Sequence, residues 1–277
     1  MPLSNNYQIR HARIINEGEI FEGGVLVEDG LIKKIYRKED NYQEKLPEHT
    51  KVIDAEGRYL IPGVIDDQVH FREPGLTHKA DLSTESRAAV AGGITSFMEM
   101  PNTIPQTLTQ DLLEKKYQLA SEKSLANYSF YMGASNDNLD EILKTNPEKV
   151  CGVKVFMGAS TGNMLVDDPD TLNAIFEKSP LLVAVHAENE STIRKNLAGF
   201  KMEYGDNIPV MFHPEIRSED ACYESSSFAV ELAKKYGTRL HVLHLSTARE
   251  LGLFDNQQPI RSKKITSEVC IHHLWFS

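Results

Sequence analysis

The feature that most constrains this chain is a change of rhythm at Pro62-Gly63. Beyond it, short apolar runs of strand type alternate with helix-type segments. The runs are Val64–Val69, Ile94–Met98, Tyr128–Met132, Gly152–Phe156, Leu181–His186, Leu240–Leu245 and Ile265–Ile271. Helices are expected near 81–91, 109–122, 139–144, 170–178 and 218–236, and another, capped by Ser246 or Thr247, through Leu253. A long excursion separates the fifth run from about Arg217. Repeated β–α units with apolar strands call for a parallel sheet, either open and doubly wound or closed into a barrel. No glycine-rich dinucleotide fingerprint follows the first strand, which weakens the open alternative. Polar residues fall at the C-terminal ends of several strands, where barrel enzymes assemble their sites. The expected fold class is therefore α/β, a TIM-like (β/α) barrel with seven of its eight strands visible.

Before Pro62 the pattern differs. YQIRHARII, GVLVEDGLIKKIY with Asp29-Gly30 at a hairpin position, and KVIDAEGRYLIP read as a small antiparallel sheet. Lys38 to Thr50 reads as a polar surface loop. The expected division is a β-sandwich-type domain over 1–61, incomplete without later strands, and a barrel over 62–277. A length of 277 residues accommodates a barrel of about 250 as one unit.

Composition narrows the partners. A net charge of −10 argues against nucleic acid and anionic membrane surfaces, which attract basic patches. No apolar run reaches the ~18 residues of a membrane span, and the N-terminus has no stretch of signal-peptide length. Cys151, Cys222 and Cys270 are far apart and form no CxxC pair, as expected of free thiols in a reducing compartment. A cytoplasmic protein acting on a small molecule is expected.

Four strand ends carry chemistry. In Asp66-Asp67-Gln68-Val69-His70 the residues two apart share a face, so Asp66, Gln68 and His70 form a column. Lys154 lies in the middle of the short apolar strand Gly152–Phe156, where burial lowers an amine's pKa. A neutral amine reacts with carbon dioxide to give a carbamate, a carboxylate able to bridge metal ions. His186 ends the run Leu181–His186. In His241-Val242-Leu243-His244 the two histidines point to opposite faces, so His244, nearer the strand end, is the candidate ligand and His241 is expected to pack against a helix. His70, Lys154, His186 and His244 suit Zn²⁺ or a similar divalent ion. Such an ion lowers the pKa of bound water toward ~7 and polarises a carbonyl, which supports hydrolysis of an amide-type bond.

This constellation resembles the amidohydrolase superfamily, and within it the dihydroorotases. PGVIDDQVHFREPGLTHKAD, MPNT at Met100–Thr103, GVKVFMGASTG, VAVHAENE, HVLHLSTARE and SEVCIHHL match the family's blocks in order. The resemblance covers about Gly23 to Trp275. It implies one or two zinc ions and interconversion of N-carbamoyl-L-aspartate and L-dihydroorotate, a step of pyrimidine biosynthesis. It places His70, Lys154 as a carbamate, His186 and His244 on metal-ligand positions, and Arg72 and Asn102 on positions that bind the substrate's carboxylate. A guanidinium fork suits a carboxylate better than an ammonium does. His273, in the family's His-His pair, is expected to be structural or to support the ligands.

Two departures stand out. The family's first strand ends His-x-His, whereas here Gln68 takes the first position, a weaker zinc ligand. The family also uses an eighth-strand Asp as metal ligand and general base. That Asp is expected beyond Ser277, so the 277 residues are expected to be either a truncated copy or a fragment, with little hydrolytic activity alone. Alternatives are a hydantoinase or dihydropyrimidinase, whose ring substrates lack the carboxylate, and a non-catalytic scaffold. A homodimer is possible on the resemblance.

Overall fold

The computed structural model describes residues 5–40, 46–158 and 162–276. Residues 41–45 of the expected polar loop and 159–161 of the GVKVFMGASTG block lie outside the described residues. The chain divides into two compact units, Met1–Val64 and Ile65–Ser277.

In the first unit, β1 (Tyr7–Asn16), β2 (Glu19–Glu28) and β3 (Leu31–Arg37) form an antiparallel meander. Its two turns, Glu17-Gly18 and Asp29-Gly30, have positive φ at both residues. That is the backbone twist a two-residue hairpin requires, and it is why glycine occupies the second position of each. The remaining strands correct the all-antiparallel expectation: β4 (Lys51–Asp54) and β5 (Tyr59–Leu60) both pair parallel with β1. Ala12, Ile14 and Val25 form the buried centre of this sheet.

The second unit carries one seven-stranded sheet in the order β12-β11-β10-β9-β8-β7-β6. Its strands are β6 (Val64–Val69), β7 (Ile94–Glu99), β8 (Asn127–Gly133), β9 (Gly152–Phe156), β10 (Val183–His186), β11 (Leu240–Val242) and β12 (Ile265–Ser267). From β7 onward every neighbouring pair is parallel. Each strand lies beside the next in sequence, as in the wall of a (β/α) barrel, whereas a doubly wound sheet reverses its order at a switch point.

The helices are α1 (Leu82–Ala91), α2 (Gln110–Lys123), α3 (Leu139–Leu143), α4 (Pro169–Lys178), α5 (Glu190–Tyr204), α6 (His213–Ile216), α7 (Glu219–Tyr236) and α8 (Ile271–Trp275). Asp81, Thr109, Asp168 and Ser218 accept hydrogen bonds from first-turn amides of α1, α2, α4 and α7. The long excursion after β10 is filled largely by α5 and α6. Two expected elements are corrected. The helix capped by Ser246 or Thr247 is a 3₁₀ segment, Arg249–Leu253, without a side-chain cap. Thr247 instead donates to the Glu250 carboxylate at 2.8 Å. The seventh strand stops at Ser267 and not at Ile271, which opens α8. Its neighbour β11 ends at Val242, and His244 turns left-handed (φ 42°), so no extended partner continues the ladder.

Alternation along the strands separates two cores. Phe130, Met132, Val153, Val155, Val183 and Val185 join the larger cluster with helix residues such as Leu113, Phe176 and Ala229. Tyr131 and Ala184, from the same strands, pack on the other face with Met100 and Leu243. No helix of the described residues is long and apolar enough to cross a membrane.

Glu99 and Lys116 form an ion pair that is almost wholly buried. Lys116 also donates to the Met100 carbonyl at 3.0 Å and lies over the Phe130 ring. The pair ties α2 to the end of β7, directly before Asn102. Removing one partner leaves the other charge buried. Lys116→Ala is expected to cost about 3–5 kcal/mol in urea unfolding, and the double replacement Glu99→Leu/Lys116→Met distinctly less.

Candidate active site

The register of the sheet builds the site. Gly133, Lys154, Ala184, His241 and Thr266 occupy one row across β8 to β12. Val153 and Val155 turn to the helices, so Lys154 turns to the opposite face, where it is 1% exposed. Burial pushes the amine well below its ordinary range, with Glu268 pulling the other way.

One row further along the strands, His186 ends β10. Its Nε2 lies 2.7 Å from a Glu188 carboxylate oxygen, and Arg217 Nε donates to the other oxygen at 2.8 Å. Burial would raise the Glu188 carboxyl, but its hydrogen bonds from His186 and Arg217 outweigh that and hold it at about 2. A carboxylate acceptor fixes the proton of His186 on Nε2 and leaves Nδ1 bare. That Nδ1 faces His244 Nε2 at 3.1 Å.

His244 is presented by its left-handed backbone, whose N–H donates to Glu268 Oε1 at 3.2 Å. Burial first, then the neighbouring His186 and Lys154, push its ring down to about 3. His70 follows β6, with Nδ1 2.8 Å from Asn102 Oδ1 and Nε2 3.4 Å from Gln68 Nε2. Burial and the Arg72 charge take it down to about 4. His186 is likewise lowered, chiefly by burial. The four nitrogen residues are thus held in their neutral, ligating forms. The His186 and His244 ring nitrogens, 3.1 Å apart, approach the ~3.4 Å ligand-to-ligand edge of a tetrahedral zinc centre with ~2.1 Å bonds, so a cation could replace the proton between them. The donor set fits a divalent cation.

Gln68, His70, His244, Asp66, Asp67 and Glu268 line a cavity of about 620 Å³. Arg72 and Asn102 line another of about 530 Å³ with Lys79, Thr103 and Gln106. Asn102 links the two through its bond to His70. His186 meets His244 in a smaller cleft. Gln68 Oε1 lies 3.8 Å from Cys270 Sγ. His273 lies in α8 against the larger cavity, beside His272.

His241 corrects an expectation. It does not pack against a helix: it shares the row of Lys154, and its ring bonds to Thr266 and Glu268. The inference from opposite faces fails because β11 ends at Val242 and the left-handed His244 breaks the alternation. Glu188, Arg217 and Glu268 were missed as site residues. The same two-residue spacing that grouped Gln68 with His70 relates His186 to Glu188. Nothing local marks Arg217, which comes back to the site only through the excursion.

A family model described as Dihydro-orotase-like matches residues 57–144. A dihydroorotase of Methanosarcina mazei is 31% identical over 97% of this chain and 59% of its own length. An allantoinase of Bacillus velezensis is 30% identical, over 97% of this chain and 58% of its own. Among solved structures, L-hydantoinase from Arthrobacter aurescens superposes with a TM-score of 0.86 at 28% identity, covering 95% of this chain and 58% of that one. The chain spans a little under three fifths of these relatives. Over nearly its whole length it is similar to dihydroorotase-like amidohydrolases.

Two outcomes follow from the site's hydrogen bonds and charges. Glu188→Gln is expected to weaken zinc binding about 10–100-fold in a chelator competition, with unchanged circular dichroism. In the metal-free protein, His70 and His244 have folded-state values of about 4 and about 3, below the ordinary 6.5. The unfolded chain therefore binds more protons below pH 6.5. Their contribution to stability is complete above that pH and is lost as pH falls through about 4 and then 3, measurable as a falling urea midpoint.

Proposed function

We propose that this chain forms the metal-binding and substrate-orienting part of a zinc-dependent cyclic amidohydrolase that interconverts L-dihydroorotate and N-carbamoyl-L-aspartate. The observation that carries the reading is the pairing of two environments: neutral nitrogen ligands around Lys154, and a cationic cavity lined by Arg72 and joined to His70 through Asn102. His70, Lys154, His186 and His244 would hold one or two zinc ions. When bound, a divalent ion lowers the pKa of water and polarises a carbonyl.

The chain's own residues do the rest. Lys154, neutral and desolvated, adds its amine nitrogen to carbon dioxide and releases one proton, giving a carbamate with the negative charge that its neutral neighbours lack. Glu188 holds His186 with Nδ1 bare, and Asn102 Oδ1 holds the His70 proton on Nδ1, leaving Nε2 bare. Arg72, in a left-handed conformation (φ 68°), lines the second cavity, where its guanidinium would grip a substrate carboxylate by paired hydrogen bonds. The reading assigns proton transfer to the eighth-strand Asp that the family resemblance implies.

A hydantoinase reading is favoured by the superposition on L-hydantoinase. The two separate on the carboxylate. Arg72→Gln is expected to lower kcat/KM for dihydroorotate about 10–100-fold, the value of a charged hydrogen bond, and to leave turnover of hydantoin or dihydrouracil little changed. Preference of the unaltered protein for the uncharged rings would sink the dihydroorotase reading. Lys154→Ala should abolish both activity and stoichiometric zinc; retention of both would sink the metal assignment.

A further inference from the structure

We propose that Asp67, His241 and Glu268 form an additional divalent-cation site, made of none of the four ligand residues above. One ligand atom from each lies within 4.8 Å of the others. His241 is 8% exposed and shares the row of Lys154, so this cluster lies on the interior face of the sheet. The inference is independent of which cyclic amide the protein hydrolyses.

The hydrogen bonds define which atoms face the site. Thr266 Oγ1 donates to the Leu240 carbonyl at 3.5 Å, so it accepts from His241 Nδ1 at 2.8 Å. With the ring proton on Nδ1, the Nε2 that otherwise hydrogen-bonds Glu268 is the atom a cation would bind. His241 Nε2 lies 3.3 Å from Glu268 Oε2 and 3.7 Å from Asp67 Oδ2. Both distances exceed the ~2.7–2.9 Å of an imidazolium–carboxylate hydrogen bond. They bracket the ~3.4 Å edge expected between ligands that share a cation at ~2.1 Å. In the metal-free site the Asp67 and Glu268 carboxylates share a hydrogen bond, and a cation would take the place of the proton between them.

Each carboxylate is positioned by other contacts. Glu268 Oε1 takes the His244 amide, which directs Oε2 to His241. The Asp67 carbonyl accepts from the Tyr131 hydroxyl at 3.0 Å, and its half-exposed carboxylate opens on the 620 Å³ cavity, giving an ion a way in. One imidazole and two carboxylates with open positions suit Mn²⁺, Fe²⁺, Co²⁺ or Zn²⁺. Ca²⁺ requires six to eight oxygens, and Cu(I) prefers sulfur.

The test separates this site from the one around His186. Lys154→Ala/His186→Ala protein, stripped of metal and dialysed against Mn²⁺, is expected to retain one equivalent by atomic absorption. Adding Asp67→Asn should weaken that binding about tenfold or more. Failure of the double variant to retain Mn²⁺ while folded, or retention unaffected by Asp67→Asn, overturns the proposal. If the double variant does not fold, crystals of the unaltered protein soaked in Mn²⁺ decide it. An anomalous peak within bonding distance of Asp67, His241 and Glu268 supports the site, and a peak at His186 and His244 alone overturns it.

Discussion

Lys154 is carried to the inner face of a parallel sheet by the same alternation that sends Val153 and Val155 to the helices. A charged ammonium in that position would cost several kcal/mol, and the protein meets the cost by removing the charge. The same desolvation acts on His70, His186 and His244, and each neutral neighbour spares the next a repulsive partner. What results is a group of unprotonated nitrogens, held without their own counter-charge and complementary to a metal cation. Carboxylates stand one step behind: Glu188 at His186, Glu268 at the His244 backbone.

Much of this was legible from the order of residues. Short apolar runs alternating with helix-type segments located every strand of the larger sheet, and Lys154 stood out as an amine in the middle of one of them. The capping residues Asp81, Thr109 and Ser218 stand at the helix starts that the pattern implied. The misreadings in the larger sheet share one origin, in backbone that departs from regular geometry. His244 adopts a left-handed conformation that propensity does not announce, and this shortens β11, ends β12 at Ser267 and turns His241 inward. In the smaller sheet, parallel pairing of β4 and β5 with β1 depends on long-range register and is invisible to local pattern.

The candidate site was legible in its ligands and less so in their supports. A nitrogen ligand at a strand end stands out against apolar neighbours. A carboxylate in a polar loop does not, and Glu188 sat unnoticed two residues beyond a histidine already singled out. Arg72 and Asn102 entered only by resemblance, because a lone Arg after a strand has many ordinary roles. Their shared cavity, and the bond from Asn102 to His70, give the pair a spatial meaning that spacing in the sequence does not contain.

Arg217 also bears on how such a chain can change over time. In barrels the loops beyond the strand ends are free to lengthen and shorten, and substrate range diversifies through them. The segment after β10 is tethered at both ends: Asn189 caps α5 and donates its backbone N–H to the Ala221 carbonyl, while Arg217 returns to grip Glu188. An insertion anywhere between them must still deliver a guanidinium to the same carboxylate, or His186 loses the partner that sets its tautomer. The largest excursion of the barrel is therefore a leash as well as a loop, and its freedom to drift is confined to the residues between its anchors.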